Sequence, residues 1–218
     1  MNQRGRRFEW VLWAGLILVI ATIFLAFLLA QLGARTFLGK PLPVYGQIGE
    51  FTLTNQLGQT ITLADLRGHV WVADIIFTRC TGPCPQMSRQ MMQLQQALPP
   101  ASNARLVSLT TDPDFDKPLV LKAYAEGFGA DPRRWIFLTG SKKEIANLAI
   151  NSLKLTAIEK KPDEREAAMD LFVHTTIFVI VDKSARLRGV FETSGEGVDP
   201  QQVKTQIQAA IRRLERDR

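Results

Sequence analysis

The sequence predicts an α/β sandwich carried behind one N-terminal membrane-spanning helix. Three observations support this. From Trp10 to Ala34 the chain carries no charge and is mostly Leu, Ile, Val, Phe and Ala, long enough to cross roughly 30 Å of hydrocarbon as a helix. Further on, β-prone segments alternate with segments of helical periodicity, the pattern of helices packed on a sheet. One of those strands, Val70 to Phe77, is apolar almost throughout, which marks a strand covered on both faces.

The 218 residues allow one domain of ordinary size plus appendages. The division is a tail over residues 1–9, a transmembrane anchor over 10–34, a linker over 35–45 and a folded domain over 46–218. The formal charge is +6, of which the tail residues Arg4, Arg6, Arg7 and Glu9 supply a net +2. The remainder is spread out, with no basic stripe interleaved with aromatics, so nucleic acid is not an expected partner. The apolar run exceeds the core of a signal peptide, and Trp10 and Trp13 suit a membrane interface. The three tail arginines stay in the cytoplasm by the positive-inside rule. A single-pass protein follows, with its domain outside the cytoplasm, on the periplasmic side of a bacterial inner membrane. The mitochondrial inner membrane is the alternative, disfavoured because no Ser/Arg-rich presequence precedes the span.

The elements follow in order. Pro and Gly residues between Gly39 and Pro43 form a linker. Phe51–Leu53 and Ile61–Leu63 read as short strands about the turn Asn55–Gly58, and Asp65–Gly68 as a tight connection. After the strand Val70–Phe77, Met87, Met91, Leu94 and Leu98 make one helical stripe that Pro99-Pro100 ends. Arg105–Thr110 is a strand. Asp116, with Pro118 just inside, starts a helix that stops at Gly127. Trp135–Leu138 is a strand, and Ser141–Glu144 is a capping box opening a helix to about Asn151. Residues 153–172 read as irregular and charged. Thr175–Val181 and Arg186–Glu192 form a hairpin, and Asp199-Pro200 opens a last helix to about Arg213. This order predicts a thioredoxin-like sandwich.

The chemistry concentrates at Cys80 and Cys84, the only cysteines. They lie at a strand-to-helix turn, where the helix dipole favours thiolate, with Arg79 adding positive charge. Three residues separate them, one more than in a thioredoxin-type motif, so both sulfurs can face one external atom without being forced into a disulfide. Pro83 and Pro85 stiffen the loop, and Pro85 suits the first helical position. His174 stands about 90 residues beyond Cys84, before the strand that faces the dithiol loop in a thioredoxin-like fold, where thioredoxins carry a cis-proline. Two thiolates and an imidazole form a soft three-coordinate site. Copper suits it better than zinc, which would want a fourth ligand. The competing reading of His174 is a histidine packed at a strand end.

Asp74 lies inside the apolar strand, six residues before Cys80. A buried carboxylate there is expected to be protonated or hydrogen-bonded and, with a raised pKa, to assist thiol–disulfide exchange; the competing reading is an Asp on the sheet's polar edge. His69 reads as exposed, Met87 and Met91 as core, and Asp112 and Asp116 as turn and N-cap residues.

The segments Phe77-Thr78-Arg79-Cys80-x-x-x-Cys84-Pro85, Thr111-Asp112-Pro113-Asp114-Phe115-Asp116-Lys117-Pro118 and Val173-His174-Thr175-Thr176, in that order, resemble the SCO/SenC family. These are membrane-anchored, thioredoxin-like copper proteins of cytochrome c oxidase assembly. The resemblance runs from about Gly46 to the C-terminus. It implies Cys80, Cys84 and His174 as copper ligands. It also implies cytochrome c oxidase subunit II as the partner, through copper delivery to its binuclear site or reduction of that site's cysteines. Thr81 departs from the family, where many members have proline. Two functions stay open: a metallochaperone, and an enzyme, a thiol–disulfide oxidoreductase using Cys80, Cys84 and Asp74.

Overall fold

The computed structural model describes residues 10, 13, 15–26, 41–155, 158–159, 172–173 and 176–217. The chain divides into two compact units, Met1–Pro41 and Leu42–Arg218. In the first, residues 15–26 are helical (α1) with exposed side chains. Among the described residues no helix is long and apolar enough to cross a membrane. The expected span, Trp10–Ala34, includes residues outside those described.

The second unit is built on one eight-stranded mixed sheet. Its strands are β1 (Gly46–Gln47), β2 (Thr52–Asn55), β3 (Thr60–Thr62), β4 (Trp71–Ile76), β5 (Arg105–Thr110), β6 (Trp135–Thr139), β9 (Ile177–Val181) and β10 (Arg186–Glu192). Their spatial order is β1-β10-β9-β4-β5-β6-β2-β3. Strands β4, β5 and β6 run parallel at the centre. Strand β9 joins β4 antiparallel, and β10 returns against β9 as the expected hairpin. Between the expected irregular residues a separate pair forms, β7 (Ile158–Glu159) antiparallel to β8 (Phe172–Val173).

Alternation along each strand divides the core in two. Val72, Ile76, Leu106, Trp135, Phe137, Phe178 and Ile180 face one layer. That layer holds α3 (Cys84–Ala97), α4 (Pro118–Gly127) and α6 (Pro200–Arg216). Trp71, Ala73, Ile75, Val107, Leu109, Ile136, Leu138, Val179 and Val181 face the other, with α2 (Leu63–Leu66) and α5 (Lys142–Ala146). All six residues of β4 are buried, so the apolar run does mark a strand covered on both sides.

Local chemistry sets the ends. Asp199 caps α6 by accepting from the Gln201 N–H at 2.9 Å, and Ser141 caps α5 through the Glu144 N–H. In the β2–β3 turn, Asn55 Oδ1 accepts from the N–H groups of Leu57 and Gln59, both at 2.9 Å. Gly58 supplies a φ of 77° there, where a side chain would be strained.

The structure differs from expectation in three places. The connection Asp65–Gly68 begins inside the one-turn helix α2, because the Asp65 carboxylate accepts from the N–H and hydroxyl of Thr62 at 2.8 and 2.7 Å. The helix after Ser141 is α-helical only to Ala146 and continues as a π-helix, Asn147–Ser152. Bonds such as Leu153 N to Leu148 O turn both leucines into the same core. Finally, Leu42 and Pro43, read as linker, are held by the domain: their carbonyls accept from Arg188 at 2.6 and 3.0 Å.

Candidate metal centre

The dithiol sits where β4 hands over to α3. Cys80 follows the strand, its N–H donating to Phe77 O at 3.1 Å. Cys84 is the first residue of α3, and Pro83 is its N-cap. Pro85, expected at the first helical position, occupies the second; its missing N–H costs nothing at either. The pattern Cys84, Met87, Ser88, Met91, Leu94 turns one face of α3 into the core, so Met87 and Met91 are packing residues, as expected. Cys80 is 7% exposed and Cys84 1%, and neither is in a disulfide.

The helix terminus does not make Cys84 a thiolate. A hydrogen bond with Cys80, burial, and the charges of Cys80 and Asp74 push the Cys84 thiol up, against a weaker pull from the Phe77 backbone. Nor does Arg79 offer its charge to the sulfurs as expected. It is ion-paired to Asp112, and its guanidinium lies 4.2 Å from the centre of the Phe115 ring.

Asp116 is a further correction. Lys117 is the N-cap of α4. The Asp116 side chain, wholly buried, turns instead toward the dithiol loop. It accepts from the Thr78 N–H at 3.1 Å and the Thr78 hydroxyl at 2.5 Å, and from the Thr110 hydroxyl. Asp112 and Asp116 thus grip successive residues, Arg79 and Thr78, ahead of Cys80. Sequence reasoning missed this grip because its partners lie 33 and 38 residues apart. The signal in the sequence is the Thr111–Pro118 segment, whose aspartates read as turn and N-cap residues.

Asp74 shares its strand face with Val72 and Ile76, toward α3 and the dithiol. It is fully buried, and burial pushes its pKa up to about 7. Ser108, opposite it in register, pulls the other way along with the Asp74 backbone. The geometry falls short of a bond, however, because neither carboxylate oxygen has a hydrogen-bond partner among the described residues. The Ser108 hydroxyl accepts from Trp135 Nε1 at 3.0 Å. One turn beyond Cys84, the buried Ser88 hydroxyl pairs with the Tyr124 hydroxyl at 2.9 Å. Burial raises the Tyr124 pKa, and the thiols and Asp74 add to the effect.

His174, the expected third ligand, lies outside the described residues, in the interval between β8 and β9. Among the described residues no three His, Cys, Asp or Glu side chains are grouped to hold a metal. His69 is half-buried, its Nδ1 2.8 Å from Asn103 O. The whole of β4 separates it from Cys80, a span of roughly 20 Å.

The SCO1/SenC family model matches residues 43–212. The chain belongs to the SCO1/SenC family. The SCO1 protein homolog of Bacillus subtilis is 37% identical over 147 residues, covering 66% of this chain and 73% of its own. Among solved structures, BsSco, a Sco-family cytochrome c oxidase assembly protein with a disulfide switch, is 28% identical. It superposes with a TM-score of 0.67 over 82% of this chain and 100% of its own. Copper-bound ScoI of Bradyrhizobium japonicum, at 22% identity, shares the fold with a TM-score of 0.60 over 74% of this chain and 97% of its own. The thioredoxin-like α/β sandwich is therefore common to this SCO1/SenC protein and to its structural relatives.

Proposed function

We propose that this SCO1/SenC protein is a copper-binding chaperone of cytochrome c oxidase assembly. Its cargo is Cu(I), held by Cys80, Cys84 and His174 and passed to the binuclear copper site of subunit II. The segment 10–34 anchors it in the membrane with the domain on the periplasmic side, and tethering raises its concentration near a membrane-bound target. The carrying observation is the buried pair of cysteines, not joined in a disulfide, at the β4–α3 turn. Two sulfurs and an imidazole are a soft set suited to Cu(I). Because Cys84 is held protonated, metal binding must expel its proton, and affinity rises with pH.

The test is anaerobic Cu(I) titration of the reduced full-length protein in detergent. One tight equivalent is expected in the wild type, lost or sharply weakened in Cys80→Ser, Cys84→Ser and His174→Ala. No binding above background, with a readily reducible Cys80–Cys84 disulfide, would overturn the chaperone reading.

One observation favours a second reading, a thiol–disulfide oxidoreductase acting on partner cysteines. Asp74 is buried on the dithiol face, with no hydrogen-bond partner among the described residues and a pKa of about 7. Its carboxylate can take the proton that an attacking thiol releases, and its carboxyl can give that proton to the departing thiolate. The pH profile of Cys alkylation is then expected to show an inflection near 7 that Asp74→Asn abolishes; an unchanged profile sinks this role. His174→Ala separates the two readings, since metal transfer should collapse while disulfide exchange survives.

A further inference from the structure

We infer that Asp116 is a positioning residue for the dithiol, setting from outside the loop where the Cys80 sulfur can sit relative to Cys84. The inference rests on the reading of Cys80 and Cys84 as the working pair.

Cys84 is fixed by belonging to α3. Cys80 lies in a loop and needs a separate anchor. The turn after β5 supplies it. Asp116 N–H donates to Asp112 O at 2.8 Å, and Asp112 N–H donates to the Thr110 hydroxyl at 3.0 Å, so the turn is braced on itself. It is also braced on β4, because Thr111 N–H donates to Ile76 O at 2.9 Å. From this platform the buried Asp116 carboxylate takes two bonds from Thr78, one to the backbone and one to the side chain. A third bond, from the Thr110 hydroxyl, fixes the carboxylate itself. A residue held by main chain and side chain together has its direction set as well as its place. Two residues on is Cys80.

The stretch left to accommodate a change in sulfur–sulfur distance is Thr81–Gly82–Pro83, of which Thr81 and Gly82 are exposed. A Cβ on Gly82 would lie 3.9 Å from Cys80 Sγ, an ordinary contact, so the loop is not jammed. Asp116 therefore holds the pair as the hydrogen-bonded dithiol seen here, which receives a metal, and disfavours its closure into a disulfide. The grip is geometric and does not depend on charge. An asparagine can keep all three contacts if the Thr78 hydroxyl turns to accept from its amide, whereas alanine keeps none.

The experiment compares Asp116→Ala, Asp116→Asn, Thr78→Val and Thr78→Ser in the full-length protein in detergent. Two quantities are read: Cu(I) affinity by competition with a colorimetric chelator, and the equilibrium constant of the Cys80–Cys84 disulfide against dithiothreitol. Asp116→Ala and Thr78→Val are expected to weaken Cu(I) binding roughly ten- to hundredfold, the cost of leaving a buried hydrogen-bonding group unsatisfied. Both should shift the disulfide equilibrium toward the oxidised form. Asp116→Asn and Thr78→Ser should recover most of both. Wild-type values in folded Asp116→Ala or Thr78→Val overturn the inference. So does Asp116→Asn as defective as Asp116→Ala, which would make charge the agent. If Asp116→Ala does not fold, the Thr78 pair decides alone. If the wild type itself fails to bind Cu(I), the copper reading falls while the disulfide equilibrium still tests the positioning.

Discussion

Asp74 and Asp182 are both buried carboxylates set at the ends of the same strand pairing, yet their surroundings shift their pKa values in opposite directions. Asp182, just past β9, is surrounded by donors. Burial alone would raise its pKa, but the Arg186 N–H and the Arg188 and Arg186 side chains outweigh that and hold it below the usual carboxylate range. Arg188 Nη1 lies 2.6 Å away and is itself 5% exposed. Asp74 is buried more deeply still, has no such partners among the described residues, and sits near 7. Burial raises both, and the groups that arrive with each aspartate decide whether that rise stands. Asp182 is a structural tie, whereas Asp74 is a buried carboxyl on the dithiol face of the sheet.

The comparison can be broken most forcefully at Arg188. Arg188→Ala leaves the Asp182 carboxylate buried beside only a half-exposed partner, and is expected to cost about 3–5 kcal/mol in denaturant unfolding. Next comes the opposite signature of Asp74. Its folded pKa is raised from 3.8 to about 7, so the folded state holds a proton that the unfolded state releases. Its contribution is fully present below the unfolded value and is lost as pH rises from about 4 to 7. Asp74→Asn should flatten that part of the stability profile and stabilise the protein at pH 8 by on the order of a few kcal/mol. Asp182 works the other way: its contribution is present above the unfolded pKa and is lost as pH falls below it. The smallest effect is expected at Arg186, whose side chain is 44% exposed. Arg186→Ala should cost about 1 kcal/mol or less, and an equal loss at Arg186 and Arg188 would mean that exposure does not rank these pairs.

The regular elements were legible because their signals are local. Arg105–Thr110 matched β5 residue for residue, since six β-prone residues lie between clear breaks. The hairpin over Asp182–Ala185 was readable from the two apolar runs it joins. Cys80, Cys84 and Asp74 stood out for the same reason, as chemically conspicuous residues in short, simple contexts. What escaped was every feature made by distant partners. Nothing next to Arg188 in the strand Arg186–Glu192 announces Asp182 or the Leu42 and Pro43 carbonyls that it binds. Asp116 reads as a helix cap because Pro118 follows it, and nothing nearby announces Thr78. The π-turn after Ala146 was hidden because its residues also fit an ordinary helix; only packing of Leu148 and Leu153 into one core selects it.

The strap formed by Leu42 to Ile48 has a practical consequence for cutting the protein. Tyr45 and Ile48 donate their N–H groups to Leu187 O and Ala185 O at 2.8 and 2.9 Å, and Arg188 takes the two carbonyls before them. A fragment begun at Gly46 would keep the sheet but strip the Arg188 guanidinium of two acceptors in a closed interior. One begun at or before Pro41 keeps the seal. The natural excision point for a water-soluble version therefore lies upstream of Leu42, among residues that the sequence presents as mere spacer.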